Sequence, residues 1–177
     1  MPSGTRTIQI QMMSPHDAVG GGALHARGIA QGLRRAGVRT TLLCIGDDPH
    51  PLDPDYDEIV ACKPQPWPLL WRWPPLGTLP YWYRAAVRSN GQVDGVIALS
   101  PAMAVAARCV RHRAPVLYCP AVLDKVEHPD TPRAPIKWLE RQAFRRSHAS
   151  LFTADAVRRA VEALYGPLRI PWDICPL

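Results

Sequence analysis

One unit, repeated along the chain, constrains the fold more than any other feature: an apolar strand, a turn, a helix and a further strand. Residues 7–13 (TIQIQMM) form a short β-rich run. It leads through SPHDAVGGG into ALHARGIAQGLRRAG, where Leu24, Ile29, Leu33 and Ala36 fall near helical spacing. Gly37 stands where that helix should stop, after Arg34 and Arg35 in the last turn, where they complement the helix dipole. Residues 38–45 (VRTTLLCI) predict the next strand.

The alternation then recurs. Residues 59–62 predict a short strand, and a proline-laden stretch runs into a helix over about 79–89. Residues 93–99 (VDGVIAL) predict a buried strand, and residues 101–111 an Ala-rich helix with Ser100 as its cap and Pro101 at its first position. Strands over 115–119 and 149–153 alternate with helices over 135–146 and 154–165, and Gly166-Pro167 closes the last helix. A short final strand is expected at 168–170. This order requires a mainly parallel sheet of six or seven strands, doubly wound and Rossmann-like. Helices cover both faces, crossovers are right-handed, and ligands meet the carboxyl ends of the strands.

At 177 residues and 47% hydrophobic, the chain can bury one sizeable core, so residues 1–177 are expected to form one domain. Twenty-one Lys and Arg against fifteen Asp and Glu leave a formal charge of +6, which suits an anionic partner such as a nucleotide or phospholipid. The basic residues are dispersed and no reader motif appears, which argues against nucleic acid. Five cysteines lie far apart with no C-x-x-C pair and no secretory leader opens the chain, so a reducing cytoplasm is expected. The longest apolar runs are about six residues, far below the roughly twenty needed to cross a bilayer. Many of the twenty prolines cluster between Pro49 and Pro80, which confines the irregularity to one segment.

Gly20, Gly21 and Gly22 sit where the first strand feeds the first helix. Backbone N–H groups there can approach a phosphate or a sugar oxygen, and the helix dipole adds attraction. The alternative is that these glycines only allow a tight bend. A dinucleotide fingerprint starts at Gly20 and Gly22 but meets His25 in place of its third glycine, and no G-K-[ST] follows. His16 and Asp17, in the same loop, are candidates for a base and its orienting acid, against the plainer reading of solvated loop residues. His25 either faces a phosphate or caps the edge of the core. His50, His112, His128 and His148 have no partner at metal-ligand spacing, so no zinc site is expected.

Trp67, Trp71, Trp73, Tyr81, Trp82 and Tyr83 interleave with proline and Arg72, which suits a membrane interface, a sugar platform or a partner surface, against the plainer reading of burial at the sheet edge. Trp71 and Trp73 are the candidates for acceptor or membrane contact. Lys137, Arg141 and Arg145 recur every four residues, opposite an apolar stripe of Ile136, Leu139 and Ala143. That stripe is either a solvated face or, through Lys137 and Arg141, an attraction for anionic lipid or a phosphate-bearing acceptor.

Three segments together carry a resemblance. GGGALHARGIAQGLRRAGVRTTLLC, VDGVIALSPAMAVAARCVRHRAPVLYCPA and IKWLERQAFRRSHASLFTADAVRRAVEALYG resemble, in order and spacing, the N-terminal half of family 4 glycosyltransferases of the GT-B fold. The resemblance runs from Thr7 to Gly166. It implies the acceptor-side half of a retaining, metal-independent enzyme that passes a sugar from a nucleotide-sugar to a hydroxyl, with no other cofactor.

Family members carry the donor site and a pair of glutamates in a C-terminal half, which this chain is expected to lack. Partnership with that half would be in trans, and the 177 residues alone are expected to be catalytically silent. Pro171-Trp172-Asp173-Ile174-Cys175 replace the usual hinge sequence. Where many relatives place a histidine at the end of the fourth strand, this chain has Ile97, Ala98 and Leu99. Ser100 offers a hydroxyl there, or only a helix cap, and Glu140 matches a glutamate common in the family. The alternative function is a non-catalytic binding module, or a truncated, degenerate relative. The setting expected is the cytoplasm, with peripheral contact at the inner face of the membrane.

Overall fold

The computed structural model describes residues 6–12, 21–45, 54–62, 78–110, 113–120 and 134–175. The strands are β1 (Thr7–Met12), β2 (Arg39–Ile45), β3 (Glu58–Cys62), β4 (Gly95–Ala98), β5 (Val116–Tyr118), β6 (Ala149–Phe152) and β7 (Trp172–Ile174). The helices are α1 (Gly21–Arg35), α2 (Leu79–Ser89), α3 (Pro101–Cys109), α4 (Ala134–Arg146) and α5 (Asp155–Tyr165). The strands form one sheet in the order β3-β2-β1-β4-β5-β6-β7, and every neighbouring pair is parallel. The expected doubly wound parallel sheet is therefore the observed one, with seven strands.

Chain direction fixes which face each helix covers. Connections from β1 to β2 to β3 step one way along the sheet, and all later ones step the other way, so right-handed crossovers put α1 on one face and α2 to α5 on the other. The core divides accordingly. Ala23, Ala26 and Ala30 of α1 pack with Ile10, Met12, Leu42, Cys44, Ile97 and Leu99. On the other face Trp82, Met103, Leu139, Phe144 and Val161 pack against Val96, Ala98, Val116, Tyr118 and Phe152. α2 packs on α3, and α3 on α4.

Two expectations are corrected. The buried stripe of α1 is made of alanines, supported by Ile29 and Leu33, whereas Leu24 is 56% exposed and Ala36 lies at the surface. Small side chains let the helix backbone lie close to the sheet, and position 24 falls on the outer side of that contact. The last strand is Trp172–Ile174, not 168–170. After Gly166 the chain needs several residues to return to the sheet, and Leu168 spends them packing against the core. Pairing begins at Pro171, whose carbonyl accepts from the Ser150 N–H at 3.0 Å although proline has no N–H to give.

Gly37 ends α1 as expected, at φ 75°, a left-handed conformation that glycine takes without a Cβ clash. Gln9 and Gln11 are buried in β1, and the Gln11 amide donates to Gln9 Oε1 at 2.8 Å. With both faces of the sheet covered, as expected, the two amides meet their hydrogen-bonding need by pairing with each other. Among the described residues no helix is long and apolar enough to cross a membrane.

Candidate functional site

In a parallel sheet all strand carboxyl ends share one edge, and here the order reverses between β1 and β4, the switch point at which sheets of this kind carry their ligand crevice. Gly21 and Gly22 begin α1 at this edge, so the helix directs its unpaired N–H groups and the positive end of its dipole there. α3 begins at the same edge. Ser100 is its N-cap, extended at φ −132° and ψ 156°, with Oγ accepting from the Met103 N–H at 3.4 Å. Two helix N-termini thus flank the crevice, a setting suited to oxygen-rich anionic ligands.

The first-turn residue His25 is turned inward and only 2% exposed. Its Nε2 lies 3.4 Å from Sγ of Cys119, the residue after β5. Burial pushes the imidazole pKa down and the thiol up to about 12. Both groups are therefore neutral near pH 7, so this is not a thiolate–imidazolium pair. The contact fixes α1's first turn against the end of β5, capping the edge of the core.

Ile97, Ala98 and Leu99, at the position where the resemblance places a histidine, are buried and apolar. The imidazole described at this edge comes from α1 instead. His16, Asp17, Gly20, Trp71 and Trp73 lie outside the described residues. His148, read as a histidine without metal partners, accepts from the Val116 N–H at 2.9 Å through Nδ1, far from the crevice at the start of β6. Among the described residues no cluster of three or more His, Cys, Asp or Glu is arranged to hold a metal ion.

Lys137 and Arg141 are exposed on α4, with Ile136, Leu139 and Ala143 buried opposite, as the stripe predicts. Sequence reasoning missed Trp138, 54% exposed beside Lys137. It also left the partner of Glu140 open. That residue is 1% exposed and accepts from the Tyr165 hydroxyl, which joins α4 to α5.

Known structures share this fold. The chain superimposes on sucrose-phosphate synthase from Thermosynechococcus elongatus with a TM-score of 0.70 at 14% identity, covering 97% of this chain and 48% of that one. It is similar to Anabaena HepE, solved in complex with UDP and glucose, with a TM-score of 0.66 at 18% identity, covering 97% and 44%. The chain thus spans about half the length of these structures. No curated protein matches it in sequence. The model of Glycosyltransferase Family 4 matches residues 19–173, from the glycine-led start of α1 to the last strand. This chain belongs to Glycosyltransferase Family 4.

Proposed function

We propose that the chain is the acceptor-side half of a glycosyltransferase that moves a sugar from a nucleotide-sugar to a hydroxyl acceptor. A second half, carrying the donor site, would close over the carboxyl edge of the sheet. The observation that carries this reading is the crevice between β1 and β4, flanked by the N-termini of α1 and α3. HepE, solved with UDP-glucose, supports a nucleotide-sugar as donor.

In this reading the N–H groups of Gly20, Gly21 and Gly22 stabilise negative charge as the donor bond breaks, and Ser100 meets an acceptor or donor oxygen. His16 takes the acceptor proton and Asp17 orients it. No metal takes part. His25 contributes by position, holding the glycine turn in place through Cys119. The setting is cytoplasmic.

The test supplies the missing half in trans. The chain is mixed with a nucleotide-sugar-binding half of a family member, and UDP release from UDP-glucose is followed over a panel of hydroxyl acceptors. Acceptor-dependent release, with amide shifts at Gly21, Gly22 and Ser100 on adding the acceptor, is the expected result. Acceptor binding at those amides without transfer would identify a non-catalytic module, the reading favoured by Ile97, Ala98 and Leu99. Binding elsewhere, or none, overturns both.

A second reading, peripheral membrane contact, rests on exposed Trp138 between Lys137 and Arg141, an aromatic anchor among cations. Its expected signature is binding to anionic vesicles that weakens in Trp138→Ala. Unchanged binding argues against it. The same assay, run on Trp71→Ala and Trp73→Ala, tests whether those two tryptophans also take part in membrane contact.

A further inference from the structure

A second cleft, of about 460 Å³, lies on the other side of the fold from the crevice. α4 and α5 run back down from the carboxyl edge, so their last turns, and the 166–169 segment after α5, reach the amino ends of the strands. Arg141, Arg145 and Arg169 line the cleft, with Phe144, Tyr165 and Leu168 as its apolar wall.

Five of the described arginines are compensated by acids: Arg27, Arg34, Arg39, Arg158 and Arg159 each face a carboxylate within ion-pair distance. Arg141, Arg145 and Arg169 have neither an ion pair nor a hydrogen bond among the described residues. Glu140, the one acid on α4, is buried and turned to the Tyr165 hydroxyl, so it leaves their charge in place. Three guanidinium groups without a carboxylate partner among the described residues line one concavity, and together they offer a multiply charged anion paired, charge-assisted N–H donors. The volume falls within the roughly 300–1,000 Å³ typical of small-molecule sites.

We infer that this cleft binds a phosphate-bearing small molecule, its phosphate held by Arg141, Arg145 and Arg169 and its less polar part against Phe144, Tyr165 and Leu168. The site is separate from the proposed sugar-transfer crevice and does not depend on that reading.

Two probes distinguish the source of the phosphate. Inorganic pyrophosphate is titrated into the full 177-residue chain by calorimetry and amide NMR, and flotation is measured with phosphatidylcholine vesicles containing phosphatidylglycerol. The expected result for a soluble ligand is pyrophosphate binding with shifts at Gly166 and Leu168 rather than Gly21 and Gly22. Affinity should fall at least about tenfold in Arg141→Gln/Arg145→Gln and in Arg169→Gln, with Arg35→Gln unchanged. Vesicle binding lost in the same variants but kept in Arg35→Gln supports a lipid phosphate instead. Neither probe binding, equal losses in Arg35→Gln, or shifts confined to Gly21 and Gly22 overturns the inference. Unchanged thermal unfolding confirms that the variants are folded.

Discussion

His25 Nε2 and Cys119 Sγ lie 3.4 Å apart although 94 residues separate them in sequence. Their contact joins the first turn of α1 to the end of β5 beneath the crevice. Because burial lowers the imidazole pKa, the unfolded chain takes up a proton below about pH 6.5 that the folded chain refuses. Stability is unaffected above that pH and declines as pH falls from there toward the lowered folded value. The decline is at most about 1.4 kcal/mol per pH unit for one group. His148 is shifted the same way, by burial and then by the Arg108 charge, and adds to the same limb. Urea midpoints between about pH 8 and pH 5 should fall less steeply in His25→Gln and in His148→Gln. An unaltered slope in both variants would contradict this account.

The cysteines should separate by accessibility. Cys109 and Cys175 are exposed, while Cys44 and Cys119 are buried. Cys119 also carries a thiol pKa of about 12. Since the thiolate is the reactive form, Ellman's reagent at mildly alkaline pH should modify Cys109 and Cys175 in the folded chain and reach Cys44 and Cys119 only on unfolding. Mass spectrometry of the labelled peptides checks the order, and early labelling at Cys119 counts against the buried pair.

Ser100 stands at the crevice and also caps α3. Ser100→Ala should cost about 1 kcal/mol in urea unfolding through loss of the cap, and Ser100→Asp should restore most of it. If transfer activity in the reconstituted enzyme returns with Asp as stability does, the hydroxyl acts only as a cap. A failure to recover activity at full stability assigns it to ligand contact.

Tyr165→Phe deletes the hydroxyl that donates to the buried Glu140 carboxylate while leaving the ring beside Phe144, 5.9 Å between centroids. We expect a loss of about 1–3 kcal/mol by chemical denaturation, since a buried acceptor loses a donor without losing packing. A loss near zero would show that the other partners of Glu140 satisfy it fully.

Much of the fold was legible because its determinants are local. The period change from strand to helix, Gly37 after two arginines and the Ser100-Pro101 start of α3 each specify an element from a few neighbouring residues. The parallel, doubly covered sheet followed from alternation, because it is what strand–helix repeats require, whereas the strand order came only with the structure. The errors lie where tertiary distance decides. No local signal tells that the alanines of α1, rather than Leu24, meet the sheet, or that the return from Gly166 postpones β7 to Trp172.

The candidate site was less legible. Glycines and Ser100 announce a helix start at a strand end, but the pairing of His25 with Cys119 spans four strands of sequence and has no motif. The same holds for the Arg141, Arg145 and Arg169 cleft. Two of its members follow a helical spacing, and the third arrives only when α5 turns the chain back beside α4.

The interior position of β1, third in the sheet, governs the order in which the sheet can be assembled during synthesis. β1 takes β2 on one side after one short crossover, but its other side waits for Gly95–Ala98, and Thr7 waits for Asp94, 87 residues later, whose carboxylate accepts its N–H at 2.8 Å. A nascent chain halted between these points carries an apolar strand with one unzipped flank, open to pairing with another such chain. Ribosome pausing within the proline-dense stretch before α2 would prolong that vulnerable interval.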